Sequence, residues 1–398
     1  MDLLLKQALH LASHLQKEGW PTVIVGGALR DLLLGRPLRD VDLATEAPLT
    51  ALADHFDGTV LVGKPPRQSA LVFWQGGRFE IVSHAGRSLD EELRRRDLTV
   101  NALALTPSLA FVDPWGAVVD IAARRLRFNG TASARLIEDP LRALRLFRFA
   151  ATLEGFSLDE TSREAADGAD LTDVTADRRG GELLKAAEGN LSLFLSLLAQ
   201  GGLLARAYPE LASLAEDPLL TRTKRRLSRI CPMTSDCALR LTALLLDGLS
   251  REEGAEALKR WQWPHALSRT VRRLLDDPSL RGEGPLLRGR HLRWNAEDRQ
   301  RLLLLAAADS DDEQSRRRWI EGILRTLTAE EKGLFQSRLV TGREAASALG
   351  RPPGPVLGEA LRELDDALAR DELTGDREEA LGWLASWARK REERGAGS

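Results

Sequence analysis

Apolar and polar positions fall into two textures along the chain. From Thr22 to about Ile121, short β-branched runs recur between Gly and Pro: TVIVGG, GTVLVG, SALVFW, RFEIVS and FVDPWG. Runs of this length, bounded by such residues, predict strands of a small sheet. Helices are expected at Ala28–Leu34, near Leu49–His55 and over Leu89–Leu105. Beyond about Ile137 the pattern is helical, rich in Leu, Ala, Arg and Glu. Its breaks fall near Asp167–Asp170, Glu216–Pro218, Cys231–Ser235, Gly282–Gly289, Ser310–Glu313 and Gly350–Pro355. The expected fold class is an α/β head with a small mixed sheet, followed by a long all-helical neck, body and tail.

Composition narrows this only a little. The 398 residues are 43% hydrophobic and 29% charged, which suits a water-exposed globular chain of several domains. No segment approaches the ~18 uninterrupted apolar residues of a membrane span. The N-terminal MDLLLKQALHLASHLQKEGW lacks the plan of a signal peptide, so no membrane partner is expected and the location is read as cytoplasmic. Cys231 and Cys237 are the only cysteines and are expected to be free thiols. The net charge of −2 does not advertise a nucleic-acid partner. Arginines nevertheless cluster at Arg94–Arg96 and Arg316–Arg318, which fits a phosphate-binding track or a solvated helix face.

The chemistry concentrates in VIVGGALRDLLLGRPLRDVDL, Val23 to Leu43. A strand running into Gly26-Gly27 and a helix lets a phosphate approach backbone N–H groups, with Arg30 one turn on. In an extended Asp40-Val41-Asp42, the two carboxylates point to one face while Val41 and Leu43 point to the core. Adjacent carboxylates repel unless a cation lies between them, and oxygen ligands of this kind suit Mg²⁺ completed by substrate phosphates. Two such ions would activate an attacking 3′-hydroxyl and stabilise a pyrophosphate leaving group. A bare Asp-x-Asp more often ends a strand; its place after GG-x-x-R-D favours the metal reading.

GGALRDLLLGRPLRDVDLAT resembles the signature of the polymerase β-like nucleotidyltransferases. Within them it is similar to the bacterial-type (class II) tRNA nucleotidyltransferase and poly(A) polymerase family. Three further stretches fit that family in order: RRDLTVNA from Arg95, VDPWGAVVDIAARRLR from Val112 and IEDPLRALRLFRFA from Ile137. The resemblance implies that Asp40 and Asp42 hold the metals and that Gly26, Gly27 and Arg30 contact the triphosphate. It places Arg95, Arg96, Asp97 and Asn101 near the ribose and phosphates. Glu80, taken as lying on an edge strand, becomes a candidate third catalytic carboxylate. Asp139 and Arg142, read as opening the first long helix at i, i+3, would present acceptors and donors to a base edge. Arg145 and Arg148 follow on the same element as nucleotide contacts. A non-catalytic RNA-binding protein of the same fold would not need this set of residues together.

The likeness continues through Thr175-Ala-Asp-Arg178 and Glu182-Leu-Leu-Lys185, with Thr and Asp where the family has Ser and Glu. It reaches LVTG at Leu339 and LGRPPGP from Leu349 before a helix from about Val356. His291, Trp294 and Arg290 could stack on RNA or simply pack. The implied division is a catalytic head at 1–130, a base-recognition neck at 131–215, a body at 216–305 and a tRNA-binding tail at 306–398. Implied partners are the tRNA 3′ end and CTP, with ATP under the alternative readings, and Mg²⁺ as cofactor. Between Glu80 and Arg95 the family usually carries a flexible loop; here FEIVSHAGR runs almost directly into SLDEELR. Its loss resembles the enzymes that add only CC and leave A to a separate A-adding enzyme, acting in sequence without stable association. A complete CCA-adding enzyme is the alternative, followed by an A-adding enzyme or poly(A) polymerase.

Overall fold

The structure, a computed structural model, describes residues 2–64, 68–216, 218–277, 280, 294–308, 314, 317, 321, 339–369, 372, 373 and 376–395. The chain forms two compact units, Met1–Pro209 and Glu210–Ser398.

The first unit begins with helix α1 (Leu3–Lys17), whose first turn is closed by Leu4 N–H donating to the Asp2 carboxylate at 2.8 Å. Strand β1 (Thr22–Val25) leads into α2 (Gly27–Leu33), and β2 (Asp42–Thr45) into α3 (Leu49–His55). Then come β3 (Val60–Val62), β4 (Ser69–Trp74) and β5 (Gly77–Ser83), α4 (Leu89–Arg94), β6 (Ala104–Leu105) and β7 (Phe111–Val112). Among the described residues these strands make one sheet in the order β3-β4-β5-β2-β1-β6-β7. Only β2 and β5 pair in parallel; the other neighbours are antiparallel. The expected small mixed sheet is therefore present.

Strand alternation gives the sheet two buried faces. Ile24, Leu43, Phe79 and Ile81 pack with Leu11, Leu15 and Leu29 on one side. Val23, Val25 and Ala44 pack with Leu93 and Ala104 on the other. The β4–β5 hairpin turns through Gln75 and Gly76, both at positive φ (48° and 81°), the combination of a type I′ turn.

Two expectations about the sheet change. The helix expected over Leu89–Leu105 stops at Arg94, followed by a 3₁₀ turn at Thr99–Asn101 and then β6. Pairing of Ala104 with Val25 takes over there, a tertiary contact that local pattern does not register. Glu80 is not on an edge strand, because β5 is flanked by β4 and β2.

Helix α5 (Ala117–Ala122), β8 (Arg125–Leu126), α6 (Ala132–Glu138), α7 (Arg142–Thr152) and β9 (Ser157–Leu158) follow, then α8 (Glu160–Asp167), α9 (Ala176–Ala186) and α10 (Leu191–Gln200). Asp139 does not open the long helix with Arg142. It ends α6 in extended backbone, φ −159° and ψ 99°, and α7 starts only at Arg142. Pro140 explains the break, since the residue before a proline is pushed out of helical conformation.

Among its described residues the second unit has helices and no strand, with helices at Leu219–Ile230, Cys237–Gly248, Arg251–Trp261, His265–Leu275 and Ala296–Ala308. Buried Arg226 donates to Asp247 at 2.8 Å, and Cys231 and Cys237 are free thiols, as expected. Helices Gly342–Leu349, Pro355–Ala369 and Arg377–Gly395 share a core that includes Ala345, Leu361, Leu364 and Leu384. The breaks expected at 282–289 and 310–313, together with Arg290, His291, Arg316 and Arg318, lie outside the described residues. Trp294 is described, with the Arg273 guanidinium over its ring at 5.8 Å. No helix among the described residues is long and apolar enough to cross a membrane.

Gly189 joins α9 to α10, where a Cβ would meet the Ala151 carbonyl oxygen at 2.5 Å and Thr152 Cα at 2.9 Å. Both are backbone atoms at the end of α7 and cannot rotate away. Gly189→Ala is expected to destabilise the protein by about 1–3 kcal/mol, measured by urea unfolding. An unchanged midpoint would show that α7 and α9 separate without cost.

Candidate active site

A polar cleft of about 740 Å³ opens in the first unit. Its lining contains every site residue expected from the sequence: Gly26, Gly27, Arg30, Asp40, Asp42, Glu80, Arg95, Arg96, Asp97, Asn101, Asp139, Arg142, Arg145 and Arg148. Asp31, Phe149, Arg178 and Lys185 also line it and were not foreseen as site residues.

The strand-to-helix turn sets the floor. Gly26 adopts φ 83° and its missing Cβ leaves room for Arg96 Nη1 at 3.3 Å and Asp42 Oδ2 at 3.9 Å. A side chain here would be strained and would crowd both groups. Arg30 is buried and already engaged, donating to Asn101 Oδ1 at 2.6 Å and pairing with Asp31 at 3.0 Å.

The carboxylates stand beside this turn. Val41 and Leu43 are buried in the core while Asp42 is half-buried and Asp40 exposed, as the alternation requires. Parallel pairing sets Glu80 directly opposite Asp42, and Ser69 Oγ donates to Glu80 Oε1 at 2.6 Å. Burial pushes the Asp42 carboxyl up to about 6; Arg96 opposes this, and Asp40 and Glu80 add to it. Among the described residues no three His, Cys, Asp or Glu side chains already gather round one point to cage a metal. The donor set nevertheless fits a hard cation: two closely spaced carboxylates, one with a raised pKa, open to a cleft where substrate oxygens can complete the shell.

A line of buried polar groups runs from the floor to the helices. Asn101 Nδ2 donates to Asp97 Oδ1 at 2.9 Å, and Arg145 Nε donates to Asp97 Oδ2 at 2.7 Å. Burial by itself would raise the Asp97 pKa, but Arg145, Asn101 and the Leu98 N–H outweigh it and hold the carboxyl well below the usual range. Glu182, 3% exposed, accepts from Arg148 Nε at 2.8 Å and faces Arg145 at 3.6 Å. The Arg148 guanidinium lies 3.7 Å from the Phe149 ring centroid, and those of Arg30 and Arg145 lie at 5.2 and 5.8 Å.

At the far wall Arg142 donates to Glu138 at 2.6 Å and to the Arg95 carbonyl at 2.9 Å. Asp139 Oδ2 accepts from Arg178 Nη2 at 2.8 Å. The expected Asp139–Arg142 face is thus assembled across a helix break, with Arg178 as a third member. The spacing of Arg178, Glu182 and Lys185 (i, i+4, i+7) was the available signal for this inward face of α9.

The stretch from Val112 acts structurally. Asp113 accepts from Ala117 and Val118 N–H at 2.7 and 2.9 Å, closing the start of α5. Asp120, fully buried, accepts from Thr99 Oγ1 at 2.6 Å and from Arg125 and Arg127. It thereby pins the 3₁₀ turn that carries Asn101.

Residues 22–84 match the Poly A polymerase head domain. Over 98% of its length the chain is 29% identical to 98% of a CCA-adding enzyme of Geobacillus thermodenitrificans. Over 145 residues, 36% of this chain and 38% of the other, it is 42% identical to a CC-adding tRNA nucleotidyltransferase of Shouchella clausii. The crystal structure of the Bacillus stearothermophilus CCA-adding enzyme in complex with CTP superposes with a TM-score of 0.72 and 27% identity, covering 99% of this chain and 100% of that one. The sheet, its Gly-Gly turn and its carboxylate pair, followed by helices, resemble the head and helical part of these nucleotidyltransferases. Along its whole length the chain is similar to CCA-adding enzymes, and its first sheet strands fall within the match to the Poly A polymerase head domain.

The raised Asp42 value carries a pH signature in protein freed of divalent cations. Its contribution to stability is fully present below about pH 4 and lost as pH rises through about 6. Asp42→Asn, uncharged throughout, should therefore gain on the parent protein by up to about 2 kcal/mol between acid and neutral pH. Urea unfolding in EDTA at both pH values measures this. A difference independent of pH would mean that the Asp42 charge is not destabilising.

Proposed function

We propose that this protein is a template-independent tRNA nucleotidyltransferase that adds CC from CTP to a tRNA 3′ end. The observation that carries this reading is the single cleft in which Asp40, Asp42, the Gly26 turn and the Asp139–Arg142–Arg178 group meet. In each addition the 3′-oxygen forms a bond to the α-phosphorus of CTP, the α–β bridging bond breaks, and pyrophosphate leaves. Asp40 and Asp42 would hold Mg²⁺, which when bound favours the ionised 3′-hydroxyl and offsets charge on the leaving pyrophosphate. Gly26 and Gly27 admit the triphosphate to backbone N–H groups, and Arg95 and Arg96 add positive charge beside it. Glu80 is the third carboxylate and deepens the site's demand for a cation. Asn101, Asp97 and Arg145 fix the nucleotide-facing wall, and Asp139 with Arg142 reads the base edge. Under this reading 1–130 is the catalytic head, 131–215 the base-recognition neck, 216–305 the body and 306–398 the tRNA-binding tail.

The restriction to C rests on the short connection from β5 to α4. The strand ends at Ser83 and the helix begins at Leu89. The intervening His84–Ser88 is fastened at several points. His84 N–H donates to the Thr45 carbonyl at 2.8 Å and Arg87 Nη2 to the Ser83 carbonyl at 3.0 Å. Ser88 and Glu91 close a capping box at the helix start. A segment this short and tied has no free length with which to reshape the pocket for the larger adenine. The likeness over 145 residues to the Shouchella clausii enzyme supports the same reading, and the full-length likeness to CCA-adding enzymes favours the alternative of complete CCA addition.

Single-nucleotide extension of a tRNA transcript lacking its CCA end decides between them. CTP alone should give two additions, and ATP should add nothing further. Full CCA with both nucleotides would show that the short connection does not limit specificity. Asp40→Ala/Asp42→Ala should lower the rate by at least about a thousandfold while the fold is retained. Extension near the parent rate would rule out the carboxylate pair as the metal site.

A further inference from the structure

The stretch from Thr175 to Lys185 has no assigned part in the reaction. It forms the start and body of α9, whose Arg178, Glu182 and Lys185 share one face. Arg178 and Lys185 line the cleft, and Glu182 lies buried behind them, paired with Arg148. Arg178 makes the contact that matters for the base. Its Nη2 donates to Asp139 Oδ2 at 2.8 Å, across 39 positions of sequence.

Asp139 depends on such a partner because of its backbone. It sits in extended conformation between α6 and α7, so no helical turn of its own restricts the side chain. Its N–H is held by the Arg135 carbonyl at 3.3 Å, which fixes the main chain but not the carboxylate. The Leu141 N–H reaches Asp139 Oδ1 only at 3.3 Å, a weak hydrogen bond. A short charged contact, at 2.8 Å, comes from Arg178 of α9.

We infer that Arg178 is a positioning residue that sets nucleotide specificity by fixing the Asp139 carboxylate toward the base. This rests on the reading of Asp139 as a base-edge acceptor. Cytosine carries an exocyclic amino donor where uracil carries a carbonyl oxygen. An oriented, ionised carboxylate accepts from the first and repels the second. A carboxylate that can rotate away loses that repulsion, so the wrong base gains as the right one loses. The guanidinium fork holds one orientation better than an ammonium, so Lys in its place should serve only in part.

The test compares parent, Arg178→Ala and Arg178→Lys, each first checked for an unchanged melting temperature. Equilibrium binding of CTP and of UTP is measured by calorimetry, and kcat/KM for each is measured on a tRNA transcript lacking its CCA end. Arg178→Ala should reduce the preference for CTP over UTP by at least about tenfold, chiefly through the binding of CTP, with Arg178→Lys intermediate. Equal losses for both nucleotides, or a lower kcat with the preference intact, would overturn the role. If the parent extends no tRNA, the proposed reaction falls, and the binding preference alone then decides whether Arg178 sets specificity.

Discussion

The buried Asp97 carboxylate is the constraint on which the arrangement of the cleft depends. It lies between α4 and β6, yet its charge is balanced by Arg145 from α7. A carboxylate taken from water without such a partner costs several kcal/mol, so the fold holds these elements together or pays heavily. Through Asn101 the same group reaches Arg30 on α2, and through Arg145 and Glu182 it reaches α9. The walls of the cleft are thus members of one ion and hydrogen-bond chain. Removing one member would leave its neighbours buried and unpaired, so the effects of substitutions along it will not add.

Against that rigid wall stands a carboxylate group kept in tension. Asp42, with Asp40 and Glu80 near it, carries a pKa raised by burial and by like charge. The fold could have relieved this with a closer cation, but Arg96 only partly offsets it. Such stored repulsion is what a cation site looks like from the protein's side. The helical wall carries the opposite balance, with Arg142, Arg145, Arg148 and Arg178 facing the same space. Under the proposed function, one cleft would offer a cation site to phosphate oxygens and an arginine-rich surface to the nucleotide they belong to.

Much of this was legible along the chain because it is local. Strand alternation placed Asp40 and Asp42 on one side and Val41 and Leu43 on the other, and the structure agrees. The Gly-Gly turn, the short β5-to-α4 connection and the membership of the cleft also follow from contiguous motifs. What misled was the extension of a local pattern past a tertiary contact. The helix expected through Leu105 gives way because Ala104 and Leu105 complete the sheet. Pro140 splits the helix that Asp139 and Arg142 were expected to share.

The sequence by itself determined the class of chemistry, since carboxylate spacing, glycine turns and arginine-rich motifs act over a few residues. Only the tertiary structure decided which groups meet across long separations. It set Glu80 against Asp42 inside the sheet, turned Arg30 toward Asn101, and brought Arg178 of α9 onto Asp139. These pairings follow from how helices and strands pack. Packing is settled by burial of the whole core and not by any short stretch of residues.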